Sequence, residues 1–186
     1  AFKELRFSRK IKHLREPFYI VCGYGETGSA LVSALTERNQ NVVVIDINPD
    51  VINFLKLENL RQFVPGLHAD AARPIHLMEA GLEHSLCLGV IAVTDDNDVN
   101  LKIAVTSKLL SPKLKVICRA DSHEVEDNMS SFGTDYIIDP FDTFAIHLAT
   151  AIQSPALNLL NMWLTGTRYQ ALGHPIYPPQ EGRWII

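Results

Sequence analysis

Gly23-Tyr24-Gly25-Glu26-Thr27-Gly28 stands directly between a short aliphatic run, Tyr19–Cys22, and a stretch of helical period over 26–39. Few folds place three glycines at this spacing between a strand and a helix. The first would make the tight turn, the second would let backbone approach a phosphate, and the third would let helix and strand pack closely. A bound phosphate would then meet the helix's free N–H groups and the positive end of its dipole.

The rest of the chain repeats the alternation that this turn begins. Val42–Ile45, Val90–Val93, Lys115–Cys118 and Tyr136–Ile138 read as further strands, with Gln62-Phe63-Val64 as a weaker third one. Helical stretches fit between them at about 49–58, 73–81, 97–109 and 122–131. Runs this uniformly apolar belong in a parallel sheet covered on both faces. The expected class is therefore α/β: a Rossmann-like parallel sheet with helices on both faces, followed by a crossover helix and an extended tail.

Helix starts carry their own marks. Asp121 with Glu124 has the spacing of a capping box, and Asp139 before Pro140 places a cap acceptor ahead of a proline at the first helical position. From there Phe141, Phe144, Ala145, Leu148 and Ile152 form one apolar stripe, which Ser154-Pro155 should end. A second apolar set, Leu157, Leu159, Leu160, Met162, Trp163 and Leu164, reads either as packing against the parent domain or as an interface. Beyond Thr165 glycines and prolines suggest a connector.

The expected boundaries are a basic N-terminal linker over 1–16, a Rossmann-like nucleotide-binding regulatory domain over 17–152, and a helical extension and linker over 153–182. Glu181-Gly182-Arg183-Trp184-Ile185-Ile186 repeats the order of Glu16–Val21, acid, turn former, aromatic, aliphatics, so 183–186 reads as the start of a second, truncated copy.

Charge separates the same parts. Residues 1–16 hold six Lys or Arg against two Glu, whereas 17–186 hold 11 basic and 19 acidic side chains. An acidic body without a basic, aromatic-rich surface is a poor nucleic-acid binder, so no nucleic-acid partner is expected. The candidate apolar run Leu86–Val93 is far shorter than the roughly 20 residues that span a bilayer. No apolar stretch follows the basic N-terminus as a signal peptide requires. Cys22, Cys87 and Cys118, odd in number and set in apolar segments, fit a reducing cytosol and not a disulfide framework.

Asp46 strengthens the nucleotide reading. It follows the second strand, 18 residues beyond Gly28, where a carboxylate accepts hydrogen bonds from ribose hydroxyls and repels a 2′-phosphate. NAD(H), AMP or ADP fits better than NADP(H); as a purely structural residue, Asp46 would be a turn acceptor before Asn48-Pro49. Ile47 beside it joins the candidate site. Asp70 and Ala71, after the weak third strand, would orient an adenosine group or cap the next helix. Thr94 and Asp95, at the end of the fourth strand, would touch the ligand or serve helix capping. Arg119, at the end of the fifth, would supply positive charge or pair with Asp121 or Glu124. Glu26, at the head of the glycine turn, would oppose a pyrophosphate unless it points outward.

No catalytic residues and no metal ligands are assigned. His68 with Asp70, and His123 with Glu124 and Glu126, lack the compact spacing of strong zinc motifs. No serine sits in a G-x-S-x-G elbow. A dehydrogenase would need a further domain to hold substrate over the nicotinamide, so the chain is not expected to be an enzyme.

Taken together, Gly23–Gly28, Asp46, Ala69-Asp70-Ala71, Thr94-Asp95-Asp96, Arg119 and Asp139-Pro140 resemble the potassium-conductance regulator domain, also called the TrkA-N, KTN or RCK domain. The resemblance covers about residues 17–152. It implies a ligand-sensing module at the cytoplasmic face of the bacterial inner membrane, soluble by itself, that forms homodimers or ring-like oligomers and controls a potassium channel or transporter. Carried onto this chain, Gly23, Gly25 and Gly28 cradle phosphates, Asp46 holds ribose, Asp70 and Ala71 flank the adenine side, and Thr94 with Arg119 lines the crevice. Some members carry tandem copies, and others join pore helices through a short basic segment, for which Lys3–Arg15 is suited. The family often has arginine or another non-acidic residue at Glu26, glycine at Ala69 and asparagine at Asp95, departures that leave the phosphate number open. The alternatives are an NAD-dependent oxidoreductase module whose substrate domain lies elsewhere, or a nucleotide-free structural adaptor.

Overall fold

The computed structural model describes residues 7, 11, 14–154, 156–157 and 159–160. One unit runs through Pro140 and a second begins at Phe141.

The first unit is built on six parallel strands: β1 (Phe18–Cys22), β2 (Asn41–Asp46), β3 (Gly66–His68), β4 (Cys87–Ala92), β5 (Lys115–Arg119) and β6 (Tyr136–Ile138). Their order in the sheet is β3-β2-β1-β4-β5-β6. The helices between them are α1 (Glu26–Glu37), α2 (Pro49–Leu55), α3 (Pro74–Glu79), α4 (Asn97–Leu110) and α5 (His123–Ser131).

Strand periodicity divides the core in two. Ile20, Cys22, Val43, Ile45, Val90 and Ala92 point to one face, where they meet Leu77 of α3, Ile103 of α4 and Met129 of α5. Val21, Val42, Val44 and Ile91, one position out of phase, meet Val32 of α1 and Ile52 and Leu55 of α2 on the other. Both faces are covered, which is why successive strand residues are all apolar. The expected α/β class, with helices on both faces of a parallel sheet, is the one observed.

The third strand lies further along than the sequence suggests. Gln62–Val64 is not a strand; pairing with β2 begins at Gly66 opposite Val44. Pro65 offers a carbonyl, which accepts from the Val44 N–H, but has no N–H to return. Val64 is instead buried as loop against α2's side of the sheet.

Two helix starts are capped by side chains, and one that the sequence marks for capping is not. Asn48 caps α2 through its side-chain oxygen, which accepts from the Asp50 N–H, and the Asp96 carboxylate accepts from the N–H groups of Asp98 and Val99 at the head of α4. The expected capping box of Asp121 with Glu124 is absent: Ser122 is the N-cap of α5 and makes no side-chain cap bond. The Asp121 carboxylate is drawn instead to Arg119, 3.0 Å away. A charge-assisted pair with a guanidinium outcompetes a single N–H.

Phe7 and Ile11, inside the basic N-terminal segment, are buried in the larger core cluster. An added Cβ on Gly81 would lie 2.7 Å from Ile11 Cγ2, so the absent side chain leaves room for that contact.

In the second unit, helix α6 (Pro140–Gln153) starts at its proline and ends just before Ser154. Its apolar stripe, Phe141, Phe144, Leu148 and Ile152, is exposed, as are Leu157, Leu159 and Leu160. Met162, Trp163, Leu164, the connector after Thr165 and the repeat-like segment 181–186 lie outside the described residues.

Candidate functional site

In a sheet of this order the connections leave β1 and β4 toward opposite sides, so a crevice opens between their carboxyl ends. The glycine turn follows β1 and Thr94 follows β4. Backbone bonds continue past both strands: Gly23 N–H donates to Ile45 O and Val93 N–H to Cys22 O.

The three glycines divide their work in space. Gly23 has φ +97°, and a Cβ there would press on Thr94 N and Val93 O at 3.0 Å. A Cβ on Gly28 would lie 2.1 Å from Gly23 O, so α1 can start this close to the turn only with glycine. Gly25 differs: nothing lies within 4 Å of its added Cβ. Space is kept open there, on the side where the α1 N-terminus presents its N–H groups.

The cleft over these strand ends has a volume of about 540 Å³, within the usual range for small-ligand sites. Of the predicted site residues, Gly23, Gly25, Thr27, Asp46, Ile47, Asp70, Ala71, Thr94 and Asp95 line it. Tyr24, Glu26, Gly28 and Arg119 do not.

Each of those four has another position. Gly28 is the close helix–strand contact already described. Glu26 is exposed in the first turn of α1. Tyr24 is buried, its hydroxyl donating to the Glu58 carboxylate. Burial foremost, and then Glu58, push its phenol well above the ordinary range. Arg119 donates from Nη1 to Asp95 Oδ1 at 2.8 Å and from Nε to Asp121 Oδ1 at 3.0 Å. Burial works against its charge, but Asp121 and Asp95 more than offset this and hold it above its ordinary value.

Asp46 is fixed from both sides. Tyr24 N–H donates to Oδ2 and Asn48 N–H to Oδ1, each at 2.7 Å. Each carboxylate oxygen retains a lone pair for a hydroxyl donor. Ile47 is 69% exposed, an uncovered apolar side chain on the cleft wall beside this acid. Asp70 makes a local turn and does not cap the next helix: Oδ1 accepts from the Ala72 N–H while the residue lines the cleft, and α3 has Arg73 as its N-cap with no side-chain bond.

The residue that sequence reasoning missed is Asn100. It is fully buried on α4 and joins the ends of β4 and β5. Its Oδ1 accepts from both the N–H and the hydroxyl of Thr94, and its Nδ2 donates to the carbonyls of Thr94 and Arg119. An amide on the apolar side of a helix was the available signal. Asn48, Val51 and Val99 also line the cleft without having been singled out, as does Asp96, which the sequence offered only within the run Thr94-Asp95-Asp96.

The histidines near acids do not assemble a metal centre: His68 Nε2 lies 3.0 Å from Ile47 O, and His123 Nδ1 lies 3.2 Å from Glu126 Oε2. Among the described residues no group of three or more His, Cys, Asp or Glu is placed to hold a metal ion. Nor, among them, is any helix long and apolar enough to cross a membrane.

The family described as the TrkA-N domain matches residues 19–140. An uncharacterized protein of Methanothermus fervidus is 33% identical over 73% of this chain and 20% of its own length. A protein of Methanocaldococcus jannaschii named probable potassium channel protein 2 is 25% identical over 82% of this chain and 43% of its own length. The chain thus spans less than half the length of these relatives. The fold is shared with the C-terminal domain of a Kef protein from Shewanella denitrificans in its AMP-bound form, with TM-score 0.62, 20% identity, and coverage of 80% of this chain and 90% of that one. It is shared also with the GsuK channel bound to NAD, with TM-score 0.62, 18% identity, and coverage of 79% and 25%.

Proposed function

This chain belongs to the TrkA-N domain family, and from that premise we propose that it is a ligand-sensing regulatory domain of a potassium channel or transporter. The ligand is an adenine nucleotide, NAD(H), AMP or ADP, bound in the cleft between the ends of β1 and β4. The observation that carries this reading is the combination of open space at Gly25 with the doubly anchored carboxylate of Asp46.

The residues fit such a ligand in order. Gly25 and Thr27, with the first N–H groups of α1, take the phosphate nearest the ribose. Asp46 accepts from the ribose hydroxyls and, by its charge, disfavours a 2′-phosphate. Ile47, Val51 and Ala71 offer apolar surface to adenine, and the exposure of Ile47 is the surface such a ring would cover. The AMP and NAD carried by structures of the same fold support this ligand class.

Regulation follows from linkage. A ligand shifts a two-state arrangement only as far as it binds the two states differently. The exposed stripe of α6 is suited to contacts between subunits of a dimer or ring, and the ion-conducting partner is a membrane pore or transporter segment in the same or another chain. Chemistry on the ligand is no part of the proposal.

Calorimetric titration of the chain with NAD, NADH, AMP and ADP tests the reading, alongside Asp46→Ala. At least one nucleotide should bind, and the substitution should weaken it about tenfold or more. Unchanged affinity in a folded Asp46→Ala variant would reject the ribose role.

A further inference from the structure

The cleft is lined by four carboxylates, Asp46, Asp70, Asp95 and Asp96, and by no Lys, Arg or His among the described residues. For a site that takes phosphate this balance is unusual. Resting on the nucleotide reading above, we infer that the cleft selects its ligand by charge: it takes an adenosine carrying a monophosphate or the diester pyrophosphate of a dinucleotide, and disfavours terminal di- and triphosphates, with Asp95 the main discriminating residue.

Asp46 and Asp96 each accept two backbone N–H bonds, and Asp70 accepts one. These bonds hold the charges in place without cancelling them. Attraction for phosphate comes from the α1 N-terminus, equivalent to about half a charge, in whose first turn Glu26 also sits. That suffices for one phosphate group close to Gly25 and Thr27. A second or third, extending across the cleft, approaches the carboxylates after β4.

Arg119 is a cation bonded to the cleft-lining Asp95, and it is already committed. Its side chain is 16% exposed and held between Asp121 and Asp95, whereas the Asp95 side chain is 91% exposed. A phosphate that reached Arg119 would compete with Asp95 for its charge, and the Asp95 carboxylate would face the same anion. The exchange trades one ion pair for another and adds a repulsion. Dinucleotide pyrophosphate avoids much of this penalty, since it has no terminal phosphate monoester and its nicotinamide end is cationic when oxidised.

The test is a titration series on the chain with adenosine, AMP, ADP, ATP and NAD, free of divalent cations, at low and at physiological ionic strength. Affinity should fall roughly three- to tenfold for each phosphate added beyond AMP, and the steps should shrink with salt. Asp95→Asn removes the charge while keeping an oxygen that accepts from Arg119, and it should improve ATP relative to AMP by about threefold or more. ADP or ATP binding more tightly than AMP would overturn the inference, and so would an AMP-to-ATP ratio unmoved by Asp95→Asn. If adenosine and every nucleotide fail to bind to a folded chain, the nucleotide reading itself is rejected and the charge selection with it.

Discussion

Asn100 grips Thr94 on three sides: Oδ1 accepts the Thr94 N–H at 3.0 Å and its hydroxyl at 2.8 Å, while Nδ2 donates to the Thr94 carbonyl at 3.0 Å. With a further bond to Arg119 O, one buried amide sets the spacing of the β4 and β5 ends that frame the cleft.

Replacing Asn100 by alanine leaves the Thr94 N–H and two carbonyls without their partner beneath the cleft. The expected cost is about 2–4 kcal/mol, read as a lower urea midpoint at unchanged slope. Nucleotide affinity should fall as well, because Thr94 loses its fixed position. A variant as stable as the parent would mean that water takes over these bonds.

The glycine turn offers a paired comparison. Gly28→Ala puts a Cβ where Gly23 O stands 2.1 Å away, so α1 must shift, and a loss of about 3 kcal/mol or more is expected. Gly25→Ala meets nothing within 4 Å and suits the backbone angle of φ −73°, so its melting temperature should barely change. Its nucleotide affinity should nevertheless drop at least about tenfold, because the methyl occupies the space kept for phosphate. Full affinity in Gly25→Ala would place the phosphate elsewhere.

Much of this was legible in the sequence because strands buried on both faces declare themselves as aliphatic runs, and because Gly23, Gly28 and Asp46 act through backbone proximity along one short segment. Pairing across the sheet was harder to read. Nothing local shows that Pro65 delays β3 or that Asn100 reaches back to Thr94, and the sequence left open whether Asp121 would cap its own helix or pair with Arg119. Arg119 was assigned to the crevice from its strand end, but it does not line the cleft; of its two partners Asp121 was a sequence candidate, whereas Asp95 is brought to it by tertiary packing. Phe7 and Ile11 were hidden by the basic residues around them, although their spacing of four is that of one helix face.

Asp135 predicts an acid dependence. Burial raises its carboxyl, but hydrogen bonds from Lys108 and the Val116 N–H, with the Lys108 charge, outweigh this and hold it below its ordinary value of 3.8. A carboxyl depressed in the folded state adds stability above its unfolded value, and that contribution is lost as pH falls through the folded one. Asp135→Asn should therefore lower stability at neutral pH by about 1 kcal/mol, and the two proteins should converge as pH falls below the ordinary carboxyl value of 3.8. Parallel curves of stability against pH would show that the Lys108 pair, one-third exposed on the Asp135 side, is screened away.

The three thiols should be silent in the folded protein. Cys22 and Cys118 have no exposure and Cys87 has 9%. Burial foremost raises all three, Cys87 to about 11 and Cys118 to about 12, so thiolate is scarce at neutral pH. Cys22 pairs in register with Ala92 and Ala92 with Cys118, which leaves a whole strand between the two thiols. Two strand spacings of about 4.8 Å exceed the Cα separation a disulfide tolerates, so oxidants should not join them. With N-ethylmaleimide at pH 7, mass spectrometry should find little labelling until denaturant is added, and Cys87 should react first as pH is raised. Rapid native labelling of Cys22 would mean that β1 separates from β4 on the timescale of the reaction, and that the floor of the cleft is open far more often than its packing implies.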